Sequence, residues 1–158
     1  MRAIVIGSGI AGLAVSQALR HTGIDVSVYE RATKLTEVGA GISLWANALR
    51  ALDHLGIGAA VRSVAQPMTV AEFRCRNGFT ITASFQGSHF ERQYGTAPFL
   101  AMVHRAELVA ALAAGLPAGT AHYGHECVKA ESRADRAIVY FRSGHSDEAD
   151  TPMKRTLR

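Results

Sequence analysis

Apolar residues recur along this chain in two rhythms, and each rhythm predicts its own kind of element. Arg2–Ile6 is a short apolar run closed by Gly7 and reads as a buried strand. Ile10–Arg20 places Ile10, Leu13, Ala14, Val15 and Leu19 on one broad face, which predicts a helix. Gly23 is its stop, and Asp25–Tyr29 is a second strand. Together these form a βαβ unit of about thirty residues. From Ala32 to Ser43 the periodicity lapses, and Gly39 and Gly41 mark an irregular loop. Asn47 reads as the N-cap of a helix over Ala48–Leu55, ended by Gly56, with a second short helix over Ala59–Val64. The period then changes to two: Val70–Arg76 and Phe79–Phe85 flank Asn77-Gly78, a strong hairpin signal. Gln86–Thr96 is polar and loop-like, Phe99–Val103 is a strand, and Arg105–Ala114 is a helix that stops at Gly115. Strands over Glu126–Glu131 and Ala137–Phe141 are joined through Arg133–Arg136. The pattern is that of an α/β domain with a parallel central sheet and an antiparallel β excursion.

Composition narrows this picture. The 158 residues are 48% hydrophobic and 19% charged, enough for a packed core in one domain, or one domain and part of another. The net charge of +4 suggests nucleic acid, but Arg20, Arg31, Arg50, Arg62, Arg92 and Arg105 are scattered. No aromatic-flanked basic stripe appears, and three of the cations (Lys154, Arg155 and Arg158) fall in the last eight residues. Nucleic-acid binding is not expected. Cys75 and Cys127 have no metal-ligand spacing and read as ordinary thiols of a reducing cytoplasm. A signal peptide would also begin with a cation and an apolar run, but glycines interrupt this run and Gln17 and Arg20 follow it. No apolar stretch approaches the ~20 residues that cross a bilayer. The expected location is the cytoplasm.

The candidate chemistry begins with Gly7-Ser8-Gly9-Ile10-Ala11-Gly12, which matches the dinucleotide fingerprint G-x-G-x-x-G. Gly7 makes the turn, Gly9 admits a pyrophosphate close to the backbone, and Gly12 lets helix pack on strand. Unpaired N–H groups at the helix start then face the phosphates. Glu30, eighteen residues after Gly12 at the end of the second strand, is the acid expected on the ribose hydroxyls. A carboxylate there repels a 2′-phosphate, which favours NAD or FAD over NADP, although Arg31 next to it softens the repulsion.

Three further segments separate those two. "VYERA" (Val28–Ala32), "GAGISLWANALRALDHLGI" (Gly39–Ile57) and "VHRAEL" (Val103–Leu108), in this order and spacing, resemble the N-terminal part of the FAD-dependent aromatic-ring monooxygenases of the salicylate- and hydroxybenzoate-hydroxylase type. The resemblance runs from Arg2 to about Arg142 and implies a Rossmann-like FAD/NAD(P)-binding domain that is incomplete at its C-terminus. It places the FAD pyrophosphate on Gly7, Gly9 and Gly12, with Ser8, Ile10 and Ala11 of the same loop as further cofactor-binding residues, and the adenosine ribose on Glu30 beside Arg31. It brings Gly41, Ile42 and Ser43 to the flavin side, aims Arg105 at the ribityl-phosphate region, and adds Val128 as a further cofactor contact. A permanently charged guanidinium fork suits a diphosphate better than lysine does. Where the family carries proline before the asparagine, this chain has Trp45-Ala46-Asn47, so Trp45 is either a wall of the substrate pocket or core packing. The hairpin within 68–98 fits a substrate-side excursion of the domain at 1–150, with 151–158 as a polar tail; a plain β-meander is the simpler reading.

The resemblance also supplies the chemistry. NAD(P)H reduces the flavin, and O₂ then provides one oxygen atom to a small electron-rich aromatic substrate; the protein supplies a cradle and a closed pocket, and no catalytic side chain or metal ligand is singled out. Two later motifs that complete the cradle in such enzymes are not found before Arg158. The composition turns polar near Asp150, where another core strand is expected, which predicts a truncated or frame-shifted product, with a short natural protein as the alternative. Such a chain is expected to bind FAD weakly, to self-associate through an exposed sheet edge and to hydroxylate nothing alone. A non-catalytic FAD/NAD-binding module completed by a partner chain is the second reading. An NAD-dependent dehydrogenase domain is the third, and Gly39–Ile57 and His104-Arg105 argue against it.

Overall fold

The computed structural model describes residues 1–35, 39–72, 74–79, 85–95 and 98–150. In chain order the elements are β1 (Arg2–Ile6), α1 (Ile10–His21), β2 (Asp25–Glu30), β3 (Gly41–Trp45), α2 (Ala46–His54), α3 (Gly58–Val64), β4 (Gln66–Pro67) and β5 (Val70–Ala71). They continue with β6 (Phe85–Gln86), α4 (Gly87–Tyr94), β7 (Leu100–His104), α5 (Arg105–Ala114), β8 (Ala121–Tyr123), β9 (Cys127–Ser132), β10 (Arg136–Phe141) and β11 (Ser146–Asp150). Two compact units result: Met1–Glu37 with Leu112–Arg158, and Val38–Ala111.

The first unit holds the predicted βαβ. β1 and β2 pair in parallel from Arg2↔Asp25 to Ile6↔Tyr29, and β8 adds in parallel to the far side of β2. The sheet order is therefore β1-β2-β8, with β1 at one edge among the described residues. One face is covered by α1, whose Leu13 is fully buried. Gln17, also buried, donates to the Leu112 carbonyl at 2.8 Å. The meander β9-β10-β11 supplies a second core cluster in which Val139 and Phe141 pack with Tyr29, Ile4 and Cys127. Arg2 ties the two sheets together. Its guanidinium donates to Asp147 Oδ1 at 2.7 Å, and the Tyr29 hydroxyl donates to Asp147 Oδ2 at 2.6 Å.

The second unit is an antiparallel sheet in the order β3-β7-β4, covered by helices. Leu44, Leu49, Leu52, Ile57, Val61, Phe99, Ala101 and Val103 are among its buried apolar residues. The Asp53 carboxylate bridges to Arg62 from α2 to α3.

Four expectations change here. Asn47 is not a cap: α2 starts at Ala46 behind Trp45, no side chain caps it, and Asn47 lies inside its first turn. Gly41–Ser43 is not loop but the first half of β3, because the β7 ladder accepts it at Gly41↔His104, Ile42↔Val103 and Ser43↔Met102. Gln86–Thr96 is not loop-like throughout, since Gly87–Tyr94 is helical. Phe90 stacks on the buried Phe99 with centroids 5.2 Å apart, which anchors this polar helix. The turn at Asn77-Gly78 is present, but Gly78 alone has positive φ, at 86°. Gly78 N–H donates to Cys75 O and Cys75 N–H to Phe79 O, so the turn is the three-residue kind closed by a glycine bulge. Of the two flanking strands, β5 and β6 pair at Val70↔Gln86 and Ala71↔Phe85. Positions 73 and 80–84 of the hairpin, and the tail at 151–158, lie outside the described residues.

Candidate dinucleotide-binding site

The glycine loop sits where its sequence placed it, between the end of β1 and the start of α1. Gly7 turns the chain with φ 98°, and its N–H donates to Tyr29 O at 2.7 Å, which seats the loop on the end of β2. A Cβ on Gly12 would stand 1.9 Å from the Gly7 carbonyl oxygen, so only glycine lets α1 approach the loop this closely. Gly9 is the N-cap of α1 and makes no side-chain capping bond, and the first turn carries no acidic residue. The leading N–H groups over Ile10, Ala11 and Gly12 are therefore left without side-chain acceptors at the positive end of a twelve-residue helix. A Cβ on Gly9 would meet nothing within 4 Å, so the space beside it is open. Open backbone, free donors and positive potential fit an anionic diphosphate.

Glu30 closes the other side of the loop. Its Oε2 accepts the Ser8 amide at 2.8 Å and the Ser8 hydroxyl at 3.3 Å, and its Oε1 accepts the Ala32 amide at 2.9 Å. Burial pushes this carboxyl up, but the amides of Ala32 and Ser8 outweigh it and leave the group below its ordinary value. It is an anion at neutral pH, with acceptor capacity left over for a diol.

Next to Glu30 lies a cleft of about 250 Å³ lined by Ile6, Gly7, Tyr29, Glu30, Arg31, His125, Glu126 and Cys127. Of these, the glycine fingerprint, its spacing to an acid and the family resemblance named only Gly7, Glu30 and Arg31 as site residues. Ile6 ends β1 and Tyr29 lies in β2, while His125, Glu126 and Cys127 arrive through the turn after β8 and the start of β9: His125 N–H donates to Glu30 O at 2.8 Å, and Gly124 N–H to Ala32 O at 2.9 Å. His125 Nδ1 stands 2.8 Å from the Tyr123 carbonyl, which can only accept, so Nδ1 carries the proton. Its ring is held against Tyr29 and Phe141 at centroid distances of 5.4 and 5.5 Å. Arg31 is exposed at the cleft, and Glu126 is gripped by Arg142 through Nε at 2.6 Å.

Val128 follows the cleft residue Cys127 in β9. The register jumps from Tyr140↔Lys129 to Phe141↔Cys127, so Val128 is the extra residue of a β-bulge. It has no ladder partner in β10 and is 51% exposed.

The remaining sequence-derived residues form a separate group in the second unit. β3 carries Gly41, Ile42 and Ser43 alongside β7, and Arg105 begins α5 just after β7. Arg105 N–H donates to the Ala40 carbonyl at 3.2 Å. A Cβ on Gly39 would stand 2.9 Å from Arg105 Cβ, so glycine at 39 is what admits the arginine there. Ser43 and Arg105 are exposed, Ile42 is half-buried, and Trp45 packs edge-on against Phe99 while 47% exposed.

Known proteins resemble this chain over most of its length. The chain is 36% identical over 151 residues to 3-amino-4-hydroxybenzoate 2-monooxygenase of Streptomyces cremeus, covering 95% of this chain and 38% of that protein. It is 35% identical over 155 residues to a salicylate hydroxylase of Pseudomonas putida, covering 95% and 34%. Among solved structures, Klebsiella pneumoniae HpxO complexed with FAD and uric acid superposes with a TM-score of 0.83 at 32% identity, over 95% of this chain and 37% of that one. The chain thus spans little more than a third of the length of the curated relatives it matches. The sequence profile of one family, described as the FAD binding domain, matches residues 1–151, and the chain belongs to that family.

Proposed function

We propose that this chain is the FAD-binding part of a flavin-dependent monooxygenase that hydroxylates a small aromatic substrate with NAD(P)H and O₂. One observation carries the reading: the glycine loop and Glu30, twenty-two residues apart, meet at 2.8 Å around an uncapped helix start. The relatives' activities, on an aminohydroxybenzoate and on salicylate, support the substrate class. Bound FAD supplies acceptance of a hydride and activation of oxygen. The chain's own residues supply binding and orientation. The amides of Ile10, Ala11 and Gly12 face the diphosphate, Glu30 accepts from the ribose hydroxyls, and Arg31 flanks the adenosine half. Val128, the bulge residue beside the cleft residue Cys127, is the further cofactor contact of the family resemblance. Arg105, Gly41, Ile42 and Ser43 serve the ribityl and flavin half, which is the assignment of the family resemblance.

Glu30 also excludes a 2′-phosphate, which supports FAD rather than NADP as the resident nucleotide. Among the described residues no helix is long and apolar enough to cross a membrane, and the thiols of Cys75 and Cys127 are unpaired, which favours the cytoplasm.

A second reading rests on β1. Asp25 N–H bonds to Met1 O, and Gly7 N–H to Tyr29 O, so the odd-numbered residues of β1 face β2. The N–H and C=O groups of Ile4 and Ile6 point to the outer edge, where among the described residues only the Arg2 N–H is taken, by Asp150. An open strand edge with a half-exposed Ile6 favours pairing with another chain, either a completing partner or a second copy. The visible spectrum of the purified chain with and without added FAD tests both readings. A retained flavin band is expected, and NAD binding without flavin would refute the flavin assignment.

A further inference from the structure

Ser8 is the first variable residue of the glycine loop, and its sequence position alone aims it at the cofactor's phosphates. The structure engages it elsewhere. Ser8 is 5% exposed, and both of its donors go to one atom: the amide to Glu30 Oε2 at 2.8 Å and the hydroxyl to the same oxygen at 3.3 Å. The opposite oxygen is held by the Ala32 amide at 2.9 Å. A glutamate carboxylate left to itself rotates almost freely about its last torsion. Here it cannot turn without breaking a bond to the loop or to the turn after β2. The Ser8 amide, the Ser8 hydroxyl and the Ala32 amide take three of its roughly four acceptor directions, and the Arg31 amide faces it as well.

We propose that Ser8 is a positioning residue: through its hydroxyl it fixes the orientation of the Glu30 carboxylate and so sets how sharply the site distinguishes a ribose from a deoxyribose. This rests on the reading of Glu30 as the ribose acceptor. An acceptor already held in place loses little freedom on binding and discriminates by the full worth of its hydrogen bond. With the hydroxyl removed, Oε2 keeps only the amide. The carboxylate then samples orientations in which a missing 2′-hydroxyl matters less.

The test is displacement of FAD from the full chain by ADP and by 2′-deoxy-ADP, followed by flavin fluorescence. In the wild type, ADP is expected to displace FAD at about one-tenth the concentration that 2′-deoxy-ADP needs, the worth of one hydrogen bond to a charged acceptor. In Ser8→Ala, and in Ser8→Gly as a second variant lacking the hydroxyl, the ratio is expected to fall to about threefold or less. Ser8→Thr restores the hydroxyl and with it the ratio. Ser16→Ala is the structural control, since that buried hydroxyl bonds only to Gly12 O within α1; it is expected to lower stability and leave the ratio alone. Retention of the tenfold ratio in both Ser8→Ala and Ser8→Gly would overturn the proposal. A wild type that binds FAD but treats the two nucleotides alike would overturn it while sparing the FAD reading. A wild type that binds no FAD overturns that reading itself.

Discussion

Single residues set the geometry on which the site depends, and two of them make sharp predictions. Gly12→Ala places a methyl group against the Gly7 carbonyl, a backbone atom with no rotamer to yield. The loop must shift, at about 1–3 kcal/mol, and FAD affinity should fall at least about tenfold; chemical denaturation and FAD titration read the two effects separately. Glu30 gives a pH signature. Its folded value lies below its unfolded one, so the stability it contributes is present above the unfolded value of 4.5 and is lost as pH falls through the folded value. Glu30→Gln sets an amide against two N–H donors and should cost about 1 kcal/mol at pH 7. Denaturation midpoints of the two proteins should draw together as pH falls below 4.5, and a gap that stays constant throughout the acid range would contradict this. The placement of Glu30 beside the glycine loop was legible from its distance to Gly12. The grip of Ser8 was not, because a serine in such a loop can point to ligand or protein, and only the three-dimensional approach of β2 decides.

Elements read from periodicity survive where their apolar pattern is their own, and fail where a neighbour creates them. β1, α1, β2, β10 and α5 each carry enough apolar residues to be recognised alone. β8 is three residues long and exists by pairing with β2. β11, Ser-Asp-Glu-Ala-Asp, has no strand-like composition at all; β10 recruits it as an edge, and Arg2 fastens it through Asp147. Asp147 is accordingly the residue to test. The hydrogen bond from Arg2 outweighs burial and, with the Tyr29 hydroxyl, holds its carboxyl down at about 2. Tyr29 is pushed up to about 12, first by burial and then by its bond to Asp147. Asp147→Ala should destabilise the chain by about 1–3 kcal/mol at pH 7. The wild-type advantage should be full above the ordinary aspartate value of 3.8 and vanish as pH falls towards 2. At the other extreme, the Tyr29 contribution is complete below 10 and lost as pH climbs towards 12. Asn47→Ala makes the opposite kind of prediction. A true N-cap would lose about 1 kcal/mol, but Asn47 lies inside α2, so its thermal midpoint should be unchanged.

Across the whole molecule, the α/β class with a parallel sheet and an antiparallel excursion was legible, because the first thirty residues and the hairpin turn are self-contained signals. The division into Met1–Glu37 with Leu112–Arg158, and Val38–Ala111, was not, since it depends on β8 returning to β2 from about ninety residues further along the chain. The chain matches little more than a third of its relatives' length, and the outer edge of β1 is open among the described residues. Purified chain with FAD, NAD(P)H and O₂ should therefore oxidise no aromatic acid, and sedimentation should show mass rising with concentration; a strictly monomeric species would argue against pairing at β1.

The central claim is that the glycine loop and Glu30 hold the adenosine diphosphate half of FAD, and the most direct measurement is an equilibrium titration of the chain with FAD against FMN. FMN carries the same ring without the adenosine half, so the account predicts one FAD per chain and FMN at least about tenfold weaker. Equal affinity for the two, or binding of neither, would contradict it.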